Sequence, residues 1–231
     1  MKKILLFTVM CVLGLFGTLK AQDVVTIDGT VGGFKPATAT VAPVNNYKDY
    51  SISQVYYTVD EIAKSSGTLT SISFKTETGD YPTTRNIDVY LLNTEEYYFS
   101  AQTTKAVTAQ DLVFSGEVEF VENSWVQIDL DKDFEYTGGN LLVCVNDKTG
   151  VDGNKCYFHT FEGNLSSDAG ILRRCLQKSN SSELFDPTSS IAATYDKNMP
   201  FIQLTFASGT AEEFLEQAAP AHFKVRAVSE S

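Results

Sequence analysis

The chain has 231 residues and a net charge of −11, long enough for one sizeable domain with a real core. An acidic chain repels phosphate backbones and anionic lipid, which sets aside nucleic acid and electrostatic membrane docking. No G-x-S-x-G, H-E-x-x-H or G-x-x-x-x-G-K-[ST] occurs, so the common nucleophile, zinc-protease and nucleotide signatures are missing.

Lys2 and Lys3 open the chain, residues 4–16 form an apolar run broken by Thr8 and Gly14, and Leu19, Lys20 and Ala21 precede Gln22. This is the pattern of a secretory signal peptide over residues 1–21, with cleavage expected between Ala21 and Gln22. The apolar run is shorter than the roughly 20 residues of a membrane span, so no membrane insertion is expected after cleavage. Loss of Lys2, Lys3 and Lys20 takes the charge from −11 to −14. The protein is expected to be exported: secreted, periplasmic or at the cell surface.

From there the pattern is that of strands. Tyr56 and Tyr57 are adjacent and fall on opposite strand faces, so one of them is expected outward. Residues 58–64 allow one short helical turn before Gly67. Residues 69–76 alternate, with Ile72, Phe74 and Thr76 on one face and Ser71, Ser73 and Lys75 on the other. Residues 86–91 and 126–130 repeat the pattern. Residues 140–145 are nearly all apolar, as in a central strand buried on both faces. Residues 201–206 close the series. Gly, Asn and Asp clusters at 78–82, 137–140, 147–154 and 163–164 mark the turns. Short strands with such punctuation predict an all-β fold, an antiparallel β-sandwich of jelly-roll type over residues 22–207. Ser208 and Gly209 mark a boundary, and residues 208–231 read as a linker or tail.

Several residues are candidates for chemistry or binding. Tyr97, Tyr98 and Phe99 alternate across a strand, and Trp125 precedes another. Tyr97, Tyr98 and Trp125 are the candidate ligand-binding rings, since exposed rings offer flat apolar faces with polar edges. Glu117, Glu119 and Glu122 resemble the alternating carboxylates of some jelly-roll glycoside hydrolases, the first two about 6.5–7 Å apart on one face. Val118 and Phe120 on the opposite face make the same run an ordinary half-buried edge strand. Asp147 and Asp152 flank Gly150 and are the candidate calcium ligands, although a plain hairpin turn uses the same residues. Asp129, Asp131 and Asp133 read as solvent-facing charges. His159 alternates with Phe158 and Thr160 and reads as a strand side chain; His222 lies in the tail.

Removal of residues 1–21 leaves Cys144, Cys156 and Cys175, an odd number that allows one bridge or none. If residues 155–161 and 171–178 form one hairpin about the turn near 165, Cys156 and Cys175 are opposed and form the candidate disulfide. If the preceding turn centres between Gly150 and Val151, Val145 pairs with Cys156 and Cys144 is left free.

Residues 71–76, 86–94, 111–120, 125–147 and 198–206 together carry a resemblance. They are similar to the secreted β-sandwich modules of Bacteroidetes modular surface proteins, of the gingipain-adhesin type. That resemblance implies a cell-surface or secreted protein often built with fibronectin type III modules, and residues 220–228 resemble the start of one. The sequence reading is therefore an exported, non-enzymatic adhesion or ligand-binding module for a glycan or protein, needing no cofactor unless calcium is bound. A jelly-roll glycoside hydrolase and a purely structural envelope subunit are the alternatives.

Overall fold

In the computed structural model residues 22–33, 36–39, 42–163, 166–167, 170–171 and 173–208 are described. Residues 1–21, expected to be a signal peptide, and residues 209–231 with His222 lie outside them. The first half holds β1 (Asp23–Ile27), β2 (Pro36–Ala39), β3 (Tyr50–Tyr57), α1 (Val59–Ile62), β4 (Gly67–Gly79), β5 (Thr83–Thr94), β6 (Leu112–Phe120) and β7 (Trp125–Tyr136). The second half holds β8 (Asn140–Asp147), β9 (Cys156–Glu162), β10 (Ser166–Ser167), β11 (Gly170–Ile171), β12 (Cys175–Asn180), β13 (Thr194–Asp196), β14 (Asn198–Pro200) and β15 (Ile202–Phe206). No helix among the described residues is long and apolar enough to cross a membrane.

Strand pairing is nested. β5 pairs with β6, β4 with β7, β3 with β8 and β2 with β9, all antiparallel. These pairs fall alternately into two sheets, β2-β9-β4-β7 and β3-β8-β5-β6. A long hairpin rolled over in this way is a jelly roll. β12 and β13 extend the second sheet beyond β3. In the first sheet β14 runs in along β9, and β15 leaves along β4 with β1 on its other side. Phe201 is the apex of that V, its N–H donating to the His159 carbonyl at 2.9 Å.

Period-two patterning explains which faces meet. On β7, Val126 and Ile128 are buried while Asp129, Asp131 and Asp133 are exposed. Between the sheets they join Ile72, Phe74, Val89, Leu91, Phe158 and Leu204 in one core; full burial of each such side chain stabilises by about 1.5–3 kcal/mol. Gly138 and Gly139 carry the turn from β7 to β8 at φ of 87° and 83°, a region closed to most side chains.

β8 is buried at every position. Leu141, Val143 and Val145 face the core between the sheets, whereas Leu142 and Cys144 belong to clusters on the outer face. Phe99, Val107 and Phe185, supplied by the β5–β6 and β12–β13 connections, cover that outer face. The two connections are tied together: Thr104 N–H donates to the Ile191 carbonyl and Ala193 N–H to the Gln102 carbonyl, both at 2.9 Å.

The cysteine expectation is corrected. β9 and β12 do not form a hairpin, because the chain between them crosses from one sheet to the other through the small β10–β11 pair. Cys156 lies opposite Gly79, and Cys175 lies opposite Val55 and Asp196. Val145 likewise faces Ser53 and Val89, not Cys156. All three thiols are free and buried. Burial pushes the Cys144 thiol up to about 12 and that of Cys156 to about 11, and raises Cys175 as well.

Thiols that are both shielded and protonated react slowly. Protein from Gln22 onward should expose almost no thiol to a disulfide-exchange reagent under native conditions and three after unfolding in guanidinium. Fewer than three in the unfolded, unreduced protein would mean that a bridge forms.

Candidate functional site

The site grows from the outer face of β3. Ile52 and Tyr56 join the clusters there, and Gln54 lies between them, fully buried. Its amide grips the β5–β6 connection like a fork: Nε2 donates to the Lys105 carbonyl at 2.7 Å, and Oε1 accepts the Lys105 N–H at 2.8 Å. Two residues on, the Tyr56 ring packs against Phe99 with centroids 4.6 Å apart. Its hydroxyl donates to Glu96 Oε2 at 2.7 Å, and Lys105 Nζ donates to the same oxygen at 3.1 Å. Phe99 is pinned at both backbone ends, donating to the Arg173 carbonyl at 2.7 Å and accepting from the Tyr195 hydroxyl at 3.2 Å.

Tyr97 and Tyr98 stand on this frame with 45% and 42% of their surface exposed. Their ring centroids are 5.0 Å apart and their planes 61° apart. With Tyr56, Glu95, Glu96 and Lys105 they line a cleft of about 450 Å³. The Tyr56 hydroxyl and Lys105 hold the Glu96 carboxyl below its usual range, while burial and the Glu96 charge push the Tyr56 phenol well up. The cleft therefore sets the paired Glu96 and Lys105 side chains beside two exposed aromatic rings.

Several sequence expectations are revised here. Tyr97, Tyr98 and Phe99 do not alternate across a strand; they lie in the connection after β5, which lets both tyrosines stay exposed while Phe99 is buried. Tyr56 and Tyr57 are both buried, because the covering connections close the outer face over Tyr56, while Tyr57 donates to the Pro200 carbonyl at 2.8 Å. Trp125 does not join the other rings. It is half-buried at the start of β7 in the opposite sheet, with Lys75 Nζ 5.9 Å from its ring centroid.

The calcium candidates also separate. Asp147 is fully buried and accepts from Arg85 Nε at 2.9 Å and Arg85 Nη2 at 2.6 Å, with Thr149 Oγ1 and N–H on its other oxygen. Its carboxylate is thus filled by a guanidinium, and Asp152 is exposed on the loop beyond. Arg85 also donates to the Val151 and Lys48 carbonyls, tying two loops together. Among the described residues no three His, Cys, Asp or Glu side chains come together as a metal site. Glu117 and Glu119 are exposed on β6, away from the cleft lining. Glu122 accepts from the Gly79 N–H at 3.3 Å, and His159 is half-buried on β9 beside Phe201.

Gln54, Tyr56, Glu96 and Lys105 were not legible as one unit, since their contacts cross between β3 and a loop about fifty residues away. The one local signal was the run Glu95, Glu96, Tyr97, Tyr98, in which charges flank rings. Compared with known proteins, the chain matches no family model and no curated protein.

Removing Arg85 would leave a buried, uncompensated carboxylate. Arg85→Met should lower stability by about 3–5 kcal/mol in urea unfolding; a loss below 1 kcal/mol would show that the pair does not hold the loops. Glu96 gives a pH signature. A carboxyl whose folded pKa is depressed contributes stability that is present above its unfolded value, near 4.3, and is lost as pH falls through the folded value. Amide protection over residues 96–105, corrected for intrinsic exchange, should fall on acidification below about pH 4. Glu96→Gln should already be less protected at neutral pH and should lack that component of the fall.

Proposed function

We propose that this protein is an exported, non-enzymatic binding module that holds a glycan against Tyr97 and Tyr98. The observation that carries this reading is the pair of exposed tyrosine rings beside a cleft with fixed hydrogen-bonding groups. Sugar recognition needs both parts: rings to pack against C–H faces, and carboxylate, ammonium and hydroxyl groups to bind hydroxyls. The frame is preorganised by the buried Gln54 fork and the Tyr56–Glu96–Lys105 chain, which limits the ordering a ligand must impose.

A glycan fits this reading better than a protein. Stable protein interfaces cover about 800 Å² on each partner, whereas the adjacent exposed rings of Tyr97 and Tyr98 line one small cleft and the exposed Tyr47 ring stands apart beside Lys155. The signal-peptide pattern of residues 1–21 and the resemblance to surface modules support an extracellular setting. Repetition of such modules would add avidity to a weak single site.

A glycan array probed with the chain from Gln22 onward should return a defined set of ligands. Tyr97→Ala and Tyr98→Ala should each weaken binding about two- to tenfold, the effect of one ring contact. Binding unchanged in both variants, or no bound glycan at all, would sink the reading. Release of reducing sugar that disappears in Glu117→Gln or Glu119→Gln would replace it with the hydrolase alternative.

A further inference from the structure

Resting on the glycan-binding reading above, we infer that the cleft selects the end of a sugar chain that carries a free amine, in preference to neutral or carboxylate-bearing chains. Shape gives the first half of the argument. Rings 61° apart with centroids 5.0 Å apart touch edge to face, so they present a short, stepped aromatic surface and not a flat platform. A flat polysaccharide ribbon cannot stack on both rings at once, and such a surface suits a short contact at the end of a chain. At about 450 Å³ the cleft lies toward the small end of ligand pockets, which run from about 300 to 1,000 Å³.

Charge gives the second half. Three ionisable side chains besides tyrosine line the cleft: Glu95, Glu96 and Lys105. Glu96 and Lys105 are paired, and their charges cancel. The neighbouring Arg173 guanidinium lies over the Tyr195 ring at 4.3 Å and is not part of the lining. Glu95 is exposed, and among the described residues it has no salt-bridge partner. The uncompensated charge of the cleft is therefore the Glu95 carboxylate, in a lining that also holds the Tyr97 and Tyr98 rings. An ammonium gains from both, since ring faces and carboxylates attract cations alike. A sugar carboxylate is opposed by both, and by the acidity of the whole chain.

Three four-sugar probes separate the outcomes: a β-1,4-linked glucosamine oligomer, its fully N-acetylated form, and an oligogalacturonate. The first two share a backbone and differ in whether the nitrogen is a basic amine or a neutral amide. Calorimetric titration of the chain from Gln22 to Ser231 should show the glucosamine oligomer binding about tenfold more tightly than the acetylated one, with the uronate not retained. Glu95→Gln should shrink that ratio below about threefold, and the double change Tyr97→Ala and Tyr98→Ala should abolish it. Equal or tighter binding of the acetylated oligomer, still lost in the tyrosine variant, would overturn the amine preference and leave the glycan-binding reading standing. Preference that survives in the tyrosine variant would assign it to general attraction by an acidic protein and overturn the inference. If none of the three binds while the array returns other ligands, the inference fails alone; if the array is also empty, both fail.

Discussion

β8 has no face for water, and most of the outer architecture follows from that. A strand with apolar residues at both odd and even positions must be covered on two sides. One side meets the opposing sheet. The other has no sheet to meet, so the β5–β6 and β12–β13 connections fold over it, bringing Phe99, Val107 and Phe185 down onto Leu142, Cys144 and Tyr56. Covering loops of this kind are anchored by necessity. The aromatic cleft is built on one of them, so its anchoring derives from the need to bury the back of the sheet.

Two arginines, both almost wholly inaccessible, do the corresponding work for polar groups. Arg174 donates through Nε and Nη2 to the Tyr56 carbonyl and pairs with Glu61. Glu61 in turn accepts the Thr58 N–H at 2.8 Å, so it holds the start of α1 as well. The Tyr56 N–H returns to the Arg174 carbonyl at 2.9 Å. The residue that supplies the cleft's floor is thereby fixed at its backbone by one buried ion pair and at its hydroxyl by Glu96. Arg85 and Asp147 make the equivalent knot among the loops around residues 48 and 151. Neither knot substitutes for the apolar core, because the desolvation of such pairs offsets most of their attraction. Their contribution is to specify which loop goes where.

The layered β architecture was legible because alternation is local: Ile72 and Phe74, or Val126 and Ile128, declare their face within a few residues. The two-sided burial of β8 was legible for the same reason. The surroundings of Cys156 and Cys175 were not legible, because the chain between them crosses from one sheet to the other and register arithmetic carries no information about such crossings. Asp147 looked like a cation ligand because its partner lies sixty-two residues away. A signal did exist in Arg85, which occupies an inward position in the series Arg85, Ile87, Val89, where a charge demands a buried counter-charge. Tyr97 and Tyr98 were legible as exposed rings, but the groups that frame them are joined only in three dimensions.

The V formed by β14 and β15 has a consequence for the order in which the molecule is assembled. Its two arms occupy the fork where β4 and β9 part, and its second arm is the strand on which β1 lies, so that Asp23 meets Phe206. The nested pairs are equally non-local, and such contacts form slowly because long loops must close before they are rewarded. A ribosome that has released only the first two-thirds of this chain has released no edge for β1 and no wedge for the fork. The first sheet acquires its strand order only when β15, the last of the described strands, arrives.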